Sequence, residues 1–174
     1  MDHSYAGVVY DLDGTLVRLT VDWAAVATDV IEVYESVGVD ATGAELWGLL
    51  ERADDHGIAE AVEATISRHE RTGARESHRL ALADELRDQS VPVGVCSLNC
   101  ERACRIALET HGMAEAVETV IGRDSVESHK PAPEPLLAAV SGLNVEPGET
   151  LFVGDSPRDR TTAERAGTDF RFVD

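Results

Sequence analysis

The sequence VVYDLDGTLV, residues 8–17, joins a short apolar run to two closely spaced aspartates and a glycine. The run Gly7 to Tyr10 has the length and composition of a buried strand. Asp11 and Asp13 are two residues apart, so both side chains would lie on one face of a regular strand. This stretch therefore predicts a strand that carries two carboxylates at its carboxyl end.

Short apolar runs recur along the rest of the chain, and segments with helical spacing lie between them. This alternation is typical of βαβ units. It predicts an α/β fold built on a doubly wound, mainly parallel sheet. The predicted strands are Gly7 to Tyr10, Val91 to Cys96, Thr119 to Ile121, Leu151 to Val153 and Phe170 to Val173.

One part of the chain, residues 17–76, departs from this alternation because it contains only helical patterns. Asp22 is a suitable N-cap for a first helix, and Thr42 to Glu45 has the pattern of a capping box before a second. The sequence thus predicts an α/β core made of residues 1–16 and 77–174, with a small all-helical module inserted at 17–76.

The segment after the second predicted strand has helical spacing, with Asn99 as a suitable N-cap and Gly112 as the stop. Cys100 and Cys104 fall on its apolar stripe, where cysteine behaves as a small buried hydrophobe. We therefore interpret these cysteines as core residues rather than as metal ligands.

The composition is strongly acidic. The 174 residues carry 33 Asp and Glu against 15 Lys and Arg, a formal charge of −18, and 43% of them are hydrophobic. A chain of this length and hydrophobic content is expected to form one core of ordinary size, not a disordered acidic tail. Its negative charge repels nucleic acid and anionic lipid, so neither nucleic acid nor a membrane is expected as a partner.

Almost all of the basic residues are arginines: fourteen are Arg, and the only lysine is Lys130. A low content of lysine together with many Asp and Glu residues is typical of proteins from salt-loving organisms. Molar salt shortens the Debye length to about 3 Å and so screens the repulsion within an acidic surface. The alternative, an ordinary acidic cytosolic protein, stays open. The sequence has no run of about 18 apolar residues and no visible secretory signal, so we expect a cytoplasmic protein.

Polar side chains follow each of the first four predicted strands. In an open α/β sheet, ligands bind beyond the carboxyl ends of the strands. Several acids beside one lysine indicate a cation-and-phosphate site, because the carboxylates need a divalent ion to coexist and Lys with Ser can hold a phosphoryl group. These residues are Asp11, Asp13, Gly14 and Thr15 after the first strand, Ser97 and Asn99 after the second, Asp124 and Lys130 after the third, and Asp155, Ser156 and Asp159 after the fourth.

Four segments resemble, in the same order, the motifs of the haloacid dehalogenase-like (HAD) hydrolases. Residues 8–17 resemble the first motif, Ser97 after an apolar run the second, KPAP at 130–133 the third and VGDSPRD at 153–159 the fourth. The resemblance covers the whole predicted core. It implies a Rossmann-like HAD sheet and specific catalytic roles for the motif residues.

The resemblance implies covalent catalysis at the first motif. Asp11 would be the nucleophile that attacks phosphorus and forms an aspartyl phosphate. Asp13 would protonate the leaving oxygen as a general acid and then activate water as a general base. Gly14 and Thr15 would shape the turn that follows, Gly14 by relieving the backbone restriction.

The resemblance also implies the ligands of phosphate and cation. Ser97 and Lys130 would bind the phosphoryl group, and Asn99 would either assist Ser97 or serve only as an N-cap. The cofactor would be Mg²⁺, a hard cation that proteins hold with carboxylate oxygens. Its implied ligands are Asp11, the backbone carbonyl of Asp13 and Asp155, with Asp159 as a nearby acid.

Two branches of the family do not fit this sequence. Asp13 is present where the dehalogenase branch lacks an acid, and the inserted module at 17–76 lacks the lysine that the phosphonate-cleaving branch needs. The module matches in position the mobile cap of the phosphoglycolate phosphatase-like subgroup. The resemblance thus implies a Mg²⁺-dependent phosphatase that acts on a small phosphorylated metabolite such as phosphoglycolate or a sugar phosphate. Separately, we expect a monomer or a weak homodimer. A phosphomutase of the same fold and a non-catalytic ligand-binding module remain alternatives.

Overall fold

The computed structural model describes residues 4–173, and a five-stranded parallel sheet lies at its centre. The predicted α/β fold is confirmed, and all five predicted strands are present. In chain order the strands are β1 (Gly7–Tyr10), β2 (Val17–Arg18), β3 (His78–Arg79), β4 (Val93–Cys96), β5 (Thr119–Ile121), β6 (Thr150–Gly154) and β7 (Asp169–Phe172). The order of strands across the central sheet is β5-β4-β1-β6-β7.

Strand β1 lies between β4 and β6 and pairs in parallel with both. Its last residue, Tyr10, is opposite Val95 of β4 and Val153 of β6. The chain first winds from β1 through β4 to β5 and later adds β6 and β7 on the other side, so the direction of winding changes beside β1. Because ligands of open α/β sheets bind at such a switch point, the carboxyl ends of β1, β4 and β6 mark the expected site.

Helices cover both faces of the central sheet, as a parallel sheet requires. In chain order they are α1 (Trp23–Ser36), α2 (Leu46–Arg52), α3 (Ala59–Arg75), α4 (Leu82–Arg87), α5 (Glu101–Thr110), α6 (Glu134–Gly142) and α7 (Pro157–Ala166). Side chains alternate along β1, so Val8 and Tyr10 pack in the core cluster with α4 and α5, whereas Val9 packs in the cluster with α6 and α7. The two apolar layers hold the carboxyl ends of the strands rigidly beside one another.

The three helices of the insert pack on one another and enclose an apolar cluster of their own. Asp22 is the N-cap of α1, as predicted, because its Oδ1 accepts hydrogen bonds from the backbone N–H groups of Ala24 and Ala25, each at 3.1 Å. The buried side chains of this cluster include Val26, Val30, Tyr34, Leu49, Val62 and Ile66.

A short antiparallel ladder of β2 and β3 joins the two ends of the insert, with Val17 opposite Arg79. It was not predicted, because strands of two residues carry no detectable alternation of polar and apolar side chains. The ladder lies at the predicted boundary between a core of residues 1–16 and 77–174 and a helical cap of residues 17–76. That division stays a prediction, and residues 1–3 and 174 lie outside the described part of the chain.

Helix α3 comes very close to the chain that enters the insert, and the contact is made at Gly73. A β-carbon at this position would lie 2.6 Å from the carbonyl oxygen of Thr20. The backbone N–H of Thr20 donates to the carbonyl oxygen of Gly73 at 3.1 Å. Because only glycine leaves room for this approach, Gly73 lets the last helix of the insert dock next to the sheet.

Two predicted helix starts are wrong. Asn99 is not the N-cap of α5, which begins at Glu101, because its side chain is engaged in a buried hydrogen-bond network. Thr42 does not open a capping box, since α2 begins at Leu46 directly after Glu45 and no side chain caps it.

Some expectations concern the environment of the protein. Within residues 4–173 no helix is both long and apolar enough to cross a bilayer. Cys100 and Cys104 are buried, as predicted, and Cys96 is buried as well. The halophilic origin, the cytoplasmic location and the oligomeric state stay predictions.

Candidate active site

The turn after β1 places Asp11 at the switch point of the sheet. The backbone N–H of Asp11 donates to the carbonyl oxygen of Val153 at 2.8 Å, which ties the residue to β6. Its side chain is buried, and its Oδ2 accepts a hydrogen bond from the hydroxyl of Thr15 at 3.2 Å. Thr15, which was predicted to shape the turn, thus also contacts the carboxylate predicted to be the nucleophile.

Glycine is required at position 14 for two reasons. The φ angle of Gly14 is +86°, in the left-handed region that other residues rarely adopt. A β-carbon there would also lie 2.1 Å from Oδ2 of Asp155. The turn therefore brings its backbone against the carboxylate of the fourth motif, and this close packing draws the loops after β1 and β6 together.

Lys130 lies between two of the acids. Its Nζ donates to Oδ1 of Asp11 at 2.9 Å, to Oδ1 of Asp159 at 2.6 Å and to the carbonyl oxygen of Cys96 at 3.2 Å. These three contacts use all three N–H donors of the ammonium group. Burial opposes the charge, but the carboxylates of Asp11 and Asp159 outweigh it and raise the pKa of Lys130 above its ordinary value. The lysine therefore stays protonated.

Asp159 is held from two sides at the start of α7. Its Oδ2 accepts hydrogen bonds from the hydroxyl of Ser156 at 2.8 Å and from the Ser156 backbone N–H at 3.3 Å, while the Ser156 hydroxyl accepts from the Asp159 N–H at 3.2 Å. This reciprocal arrangement is a capping box. Since Oδ1 faces Lys130, both carboxylate oxygens of Asp159 already have partners.

Ser97 and Asn99 form a buried loop after β4. The backbone N–H of Ser97 donates to the carbonyl oxygen of Ile121 at 2.9 Å, which fastens the loop to β5. The Ser97 hydroxyl lies 3.0 Å from Oδ1 of Asn99 and accepts from the Asn99 backbone N–H at 3.1 Å. The two predicted phosphate-binding side chains therefore contact each other.

The acids of the first and fourth motifs form one cluster. A carboxylate oxygen from each of Asp11, Asp155 and Asp159 lies within 4.8 Å of the other two. Burial raises the pKa of Asp11 to about 7, and the ammonium of Lys130 counteracts this rise. Burial also raises the pKa of Asp13, against the effect of the Leu19 backbone N–H, which donates to its Oδ1 at 2.9 Å.

A cavity of about 200 Å³ opens onto these residues. It is lined by the acids, by Ser97 and Lys130, and by Trp23 of α1 and Trp47 of α2, whose ring centroids are 6.0 Å apart. A second cavity of about 120 Å³ shares Trp47, Lys130 and Arg158 with the first and extends past His129. The two cavities adjoin each other between the sheet and the inserted helices. A larger cavity of about 570 Å³ borders the turn at Gly14 and Thr15, and none of the clustered acids lines it.

Four residues near the site were missed in the sequence. Arg158 was quoted only as part of the fourth motif, although it lines both smaller cavities. Trp47 was counted only as an apolar helix residue. Glu70 continues the stripe of Val62 and Ile66 at spacings of four, so its place among buried positions was a detectable signal. Arg123 follows β5 by two residues, at the strand end where site residues are expected.

The chain matches known proteins over nearly its whole length. The sequence profile of the haloacid dehalogenase-like hydrolases matches residues 8–173. A phosphoglycolate phosphatase of Cereibacter sphaeroides (strain ATCC 17029 / ATH 2.4.9) is 33% identical over 94% of this chain and 83% of its own length. The pyrophosphatase PpaX of Oceanobacillus iheyensis is 27% identical over 91% of this chain and 78% of its own length.

Solved structures agree with the sequence matches. CbbY from Rhodobacter sphaeroides in complex with phosphate has a TM-score of 0.72 over 97% of this chain and 85% of that chain, at 17% identity, which shows a shared fold. The chain belongs to the haloacid dehalogenase-like hydrolase family. Its curated relatives place it, within that family, among the phosphatases.

Proposed function

We propose that the chain is a Mg²⁺-dependent phosphatase that hydrolyses a small phosphomonoester through an aspartyl phosphate on Asp11. The observation that carries this proposal is the position of Lys130, whose ammonium contacts both Asp11 and Asp159 at the switch point of the sheet. A buried cation beside the nucleophilic carboxylate offsets the repulsion between that carboxylate and an incoming phosphate. The acid cluster by itself would repel such a substrate.

The reaction has two displacement steps at phosphorus. In the first, a carboxylate oxygen of Asp11 bonds to phosphorus, the bond from phosphorus to the alcohol oxygen breaks, and Asp13 gives its proton to that oxygen. In the second, water attacks the phosphorus of the aspartyl phosphate, Asp13 takes a proton from that water, and the bond to Asp11 breaks. Inorganic phosphate leaves, and both aspartates return to their starting states.

The donor set suits a hard divalent cation. Mg²⁺ is usually bound by one or two carboxylates together with substrate phosphate, and the oxygens of Asp11 and Asp155 lie close enough to act together. Following the family resemblance, we assign the ion to Asp11, Asp155 and the backbone carbonyl of Asp13. Asp159, whose Oδ2 is held in the capping box of α7, is assigned to holding Lys130 through Oδ1. When bound, the ion would supply positive charge to the phosphoryl oxygens.

The inserted helices, residues 17–76, act in this proposal as a cap that limits the size of the substrate. Trp23 and Trp47 line the cavity of about 200 Å³ that also contains the acids. A space of this volume suits a small phosphorylated metabolite, whereas a macromolecular substrate needs an open cleft. The relative from Cereibacter sphaeroides is a phosphoglycolate phosphatase, which makes phosphoglycolate a candidate substrate.

Arg158 supports a substrate that carries a second negative group. It lines both cavities, and within residues 4–173 its guanidinium has no hydrogen-bond or ion-pair partner. Lys130 lines both cavities and Arg123 lines the smaller one, but both already have all of their side-chain N–H groups engaged. Arg158 is therefore the cation best able to bind a carboxylate on the leaving group.

Replacing this arginine should affect one kind of substrate selectively. We expect Arg158→Gln to raise KM for 2-phosphoglycolate about tenfold, which corresponds to the loss of roughly one charge-assisted hydrogen bond, about 1.4 kcal/mol. KM for p-nitrophenyl phosphate, which has no carboxylate, should change less than about twofold. Steady-state kinetics with the two substrates measures this difference.

A matched control is available on the same helix. Arg160 is exposed and pairs with Glu164 at 3.0 Å, so Arg160→Gln should leave both KM values unchanged. An equal rise of KM for both substrates in Arg158→Gln would contradict the proposed contact with a carboxylate.

The function as a whole is tested by a screen for phosphate release. We expect at least one small phosphomonoester to be hydrolysed in the presence of Mg²⁺, with activity lost in EDTA and restored by added Mg²⁺. The panel should include 2-phosphoglycolate, sugar phosphates and pyrophosphate, and it should be run in low and high KCl, because the acidic composition predicts higher stability in salt.

The screen also separates the alternatives. If the phosphoryl group were transferred to a second sugar phosphate rather than to water, the chain would be a phosphomutase. If substrates bound without any turnover, the non-catalytic binding module would be the better description.

A further inference from the structure

Glu70 is a buried acid that the proposed reaction does not use. It lies on α3 of the insert, and its side chain is 0% exposed. Its Oε1 accepts from Asn99 Nδ2 at 3.1 Å and from Arg123 Nη1 at 2.7 Å, while its Oε2 accepts from the Cys100 backbone N–H at 3.0 Å and from Arg123 Nη2 at 2.9 Å. An acid of the inserted helices thus contacts two consecutive residues of the loop after β4.

Arg123 holds this acid in place from the other side. Its side chain is 1% exposed, and its five N–H groups donate to Glu70 twice, to Glu63 twice and to the carbonyl oxygen of Leu98 once. The backbone N–H of Arg123 also donates to the carbonyl oxygen of Asn99 at 2.8 Å. Arginine is suited to this role because its planar fork binds a carboxylate through two parallel hydrogen bonds.

The carboxylate of Glu70 determines which way the Asn99 amide points. An ionised carboxylate only accepts hydrogen bonds, so the group of Asn99 that faces Glu70 must be the NH₂. The amide oxygen is then directed to the hydroxyl of Ser97, 3.0 Å away. A continuous chain of contacts therefore runs from Arg123 through Glu70 and Asn99 to Ser97.

We propose that Glu70, paired with Arg123, is a positioning residue for phosphate binding that acts through Asn99. The backbone N–H of Asn99 holds the Ser97 oxygen at 3.1 Å, and the hydroxyl proton turns from the Asn99 amide oxygen to the phosphate when phosphate binds. This inference rests on the proposed function. Because Glu70 belongs to the insert and Ser97 to the sheet, docking of α3 becomes a condition for a correctly formed phosphate site.

The first test is the substitution Glu70→Gln, which keeps the size of the side chain and removes its charge. We expect KM for p-nitrophenyl phosphate and the inhibition constant of inorganic phosphate each to rise about tenfold, while kcat changes less than about threefold. This split is expected because Ser97 would contact the phosphoryl group both in the bound substrate and in the transition state. Asp29→Asn is the control: it breaks the ion pair of Asp29 with Arg68 and weakens its contact with His69, two residues of α3 like Glu70, and it should leave both constants unchanged.

A double-mutant cycle distinguishes positioning from a loss of folding. When Glu70→Gln is added to Ser97→Ala, the inhibition constant of phosphate should rise by less than about twofold over that of Ser97→Ala alone. The reason is that Glu70 acts on the Ser97 hydroxyl, which this background lacks. An equal factor in both backgrounds would overturn the proposal.

A second variant keeps the test decisive if Glu70→Gln does not fold. Glu70→Met combined with Arg123→Met removes both charges of the buried pair together, an exchange that proteins often tolerate. Glu63, the other partner of Arg123, is partly exposed, so water can solvate its carboxylate. This variant should fold and still show the weakened inhibition by phosphate. If the folded double variant were inhibited by phosphate as strongly as the wild type, the positioning role of Glu70 would be refuted, but the proposed function would not. If the wild-type chain had no phosphatase activity, the proposed function would be refuted as well.

Discussion

Asp11→Asn is expected to lower kcat for any accepted phosphomonoester on the order of 10⁴-fold or more, because an amide oxygen cannot form the aspartyl phosphate. This corresponds to about 5.5 kcal/mol of transition-state stabilisation at about 1.4 kcal/mol per tenfold. The substitution keeps the shape of the side chain, and Lys130 keeps Asp159 and the Cys96 carbonyl as partners. The melting temperature should therefore change little, and kinetics together with a thermal melt measures both quantities.

Asp124→Asn provides the matched control for this variant. Asp124 also follows a strand of the central sheet, but its carboxylate accepts the backbone N–H of Glu101 at 2.7 Å, at the start of α5. We expect this variant to hydrolyse phosphomonoesters at the wild-type rate. Turnover by Asp11→Asn at more than a few per cent of the wild-type rate would show that Asp11 is not the nucleophile.

Lys130→Met is expected to damage both stability and activity. Removing the ammonium leaves the buried carboxylates of Asp11 and Asp159 without their cation, and loss of one partner from a buried pair costs about 3–5 kcal/mol of unfolding free energy. For a chain of this size the melting temperature should fall by about 6–20 °C. At a temperature where the variant is folded, kcat should still fall about 10²–10³-fold, because the charge that stabilises the phosphoryl group is missing.

The double variant Lys130→Met with Asp159→Asn separates the two effects. Removing the second charge should recover much of the lost stability, since fewer buried carboxylates then lack a partner. Activity should not recover, because no cation is restored beside Asp11. If Lys130→Met melted within about 2 °C of the wild type, the ammonium would not be holding the two acids together.

The central sheet was predictable because each of its strands is a short run of apolar residues. A parallel sheet buries both faces, so its strands appear as continuous apolar runs such as Val93–Cys96. The motif residues were predictable for a related reason: they follow these strands directly, where backbone geometry brings Asp11, Ser97 and Asp155 to one edge. The short pair of strands at Val17 and Arg79 had no comparable signal.

Side-chain partners distant in sequence were not predictable. Asn99 has the residue type and position of an N-cap, but Glu70, 29 residues earlier in the chain, accepts a hydrogen bond from its amide and so changes its role. The apolar stripe of α3 marks Glu70 as a buried position, but its partner Arg123 lies 53 residues later in the chain and no local pattern connects the two. A local pattern describes what one segment prefers, whereas these contacts depend on where α3 docks.

The single lysine offers a direct way to observe the site. Because Lys130 is the only lysine in the chain and its ammonium lies between Asp11 and Asp159, isotope labelling restricted to lysine introduces one labelled side chain, and that side chain is in the site. Its Nζ would give a single magnetic resonance signal that needs no assignment. A composition that replaces lysine by arginine elsewhere thus leaves the protein with a spectroscopic reporter of phosphate and metal binding already in place.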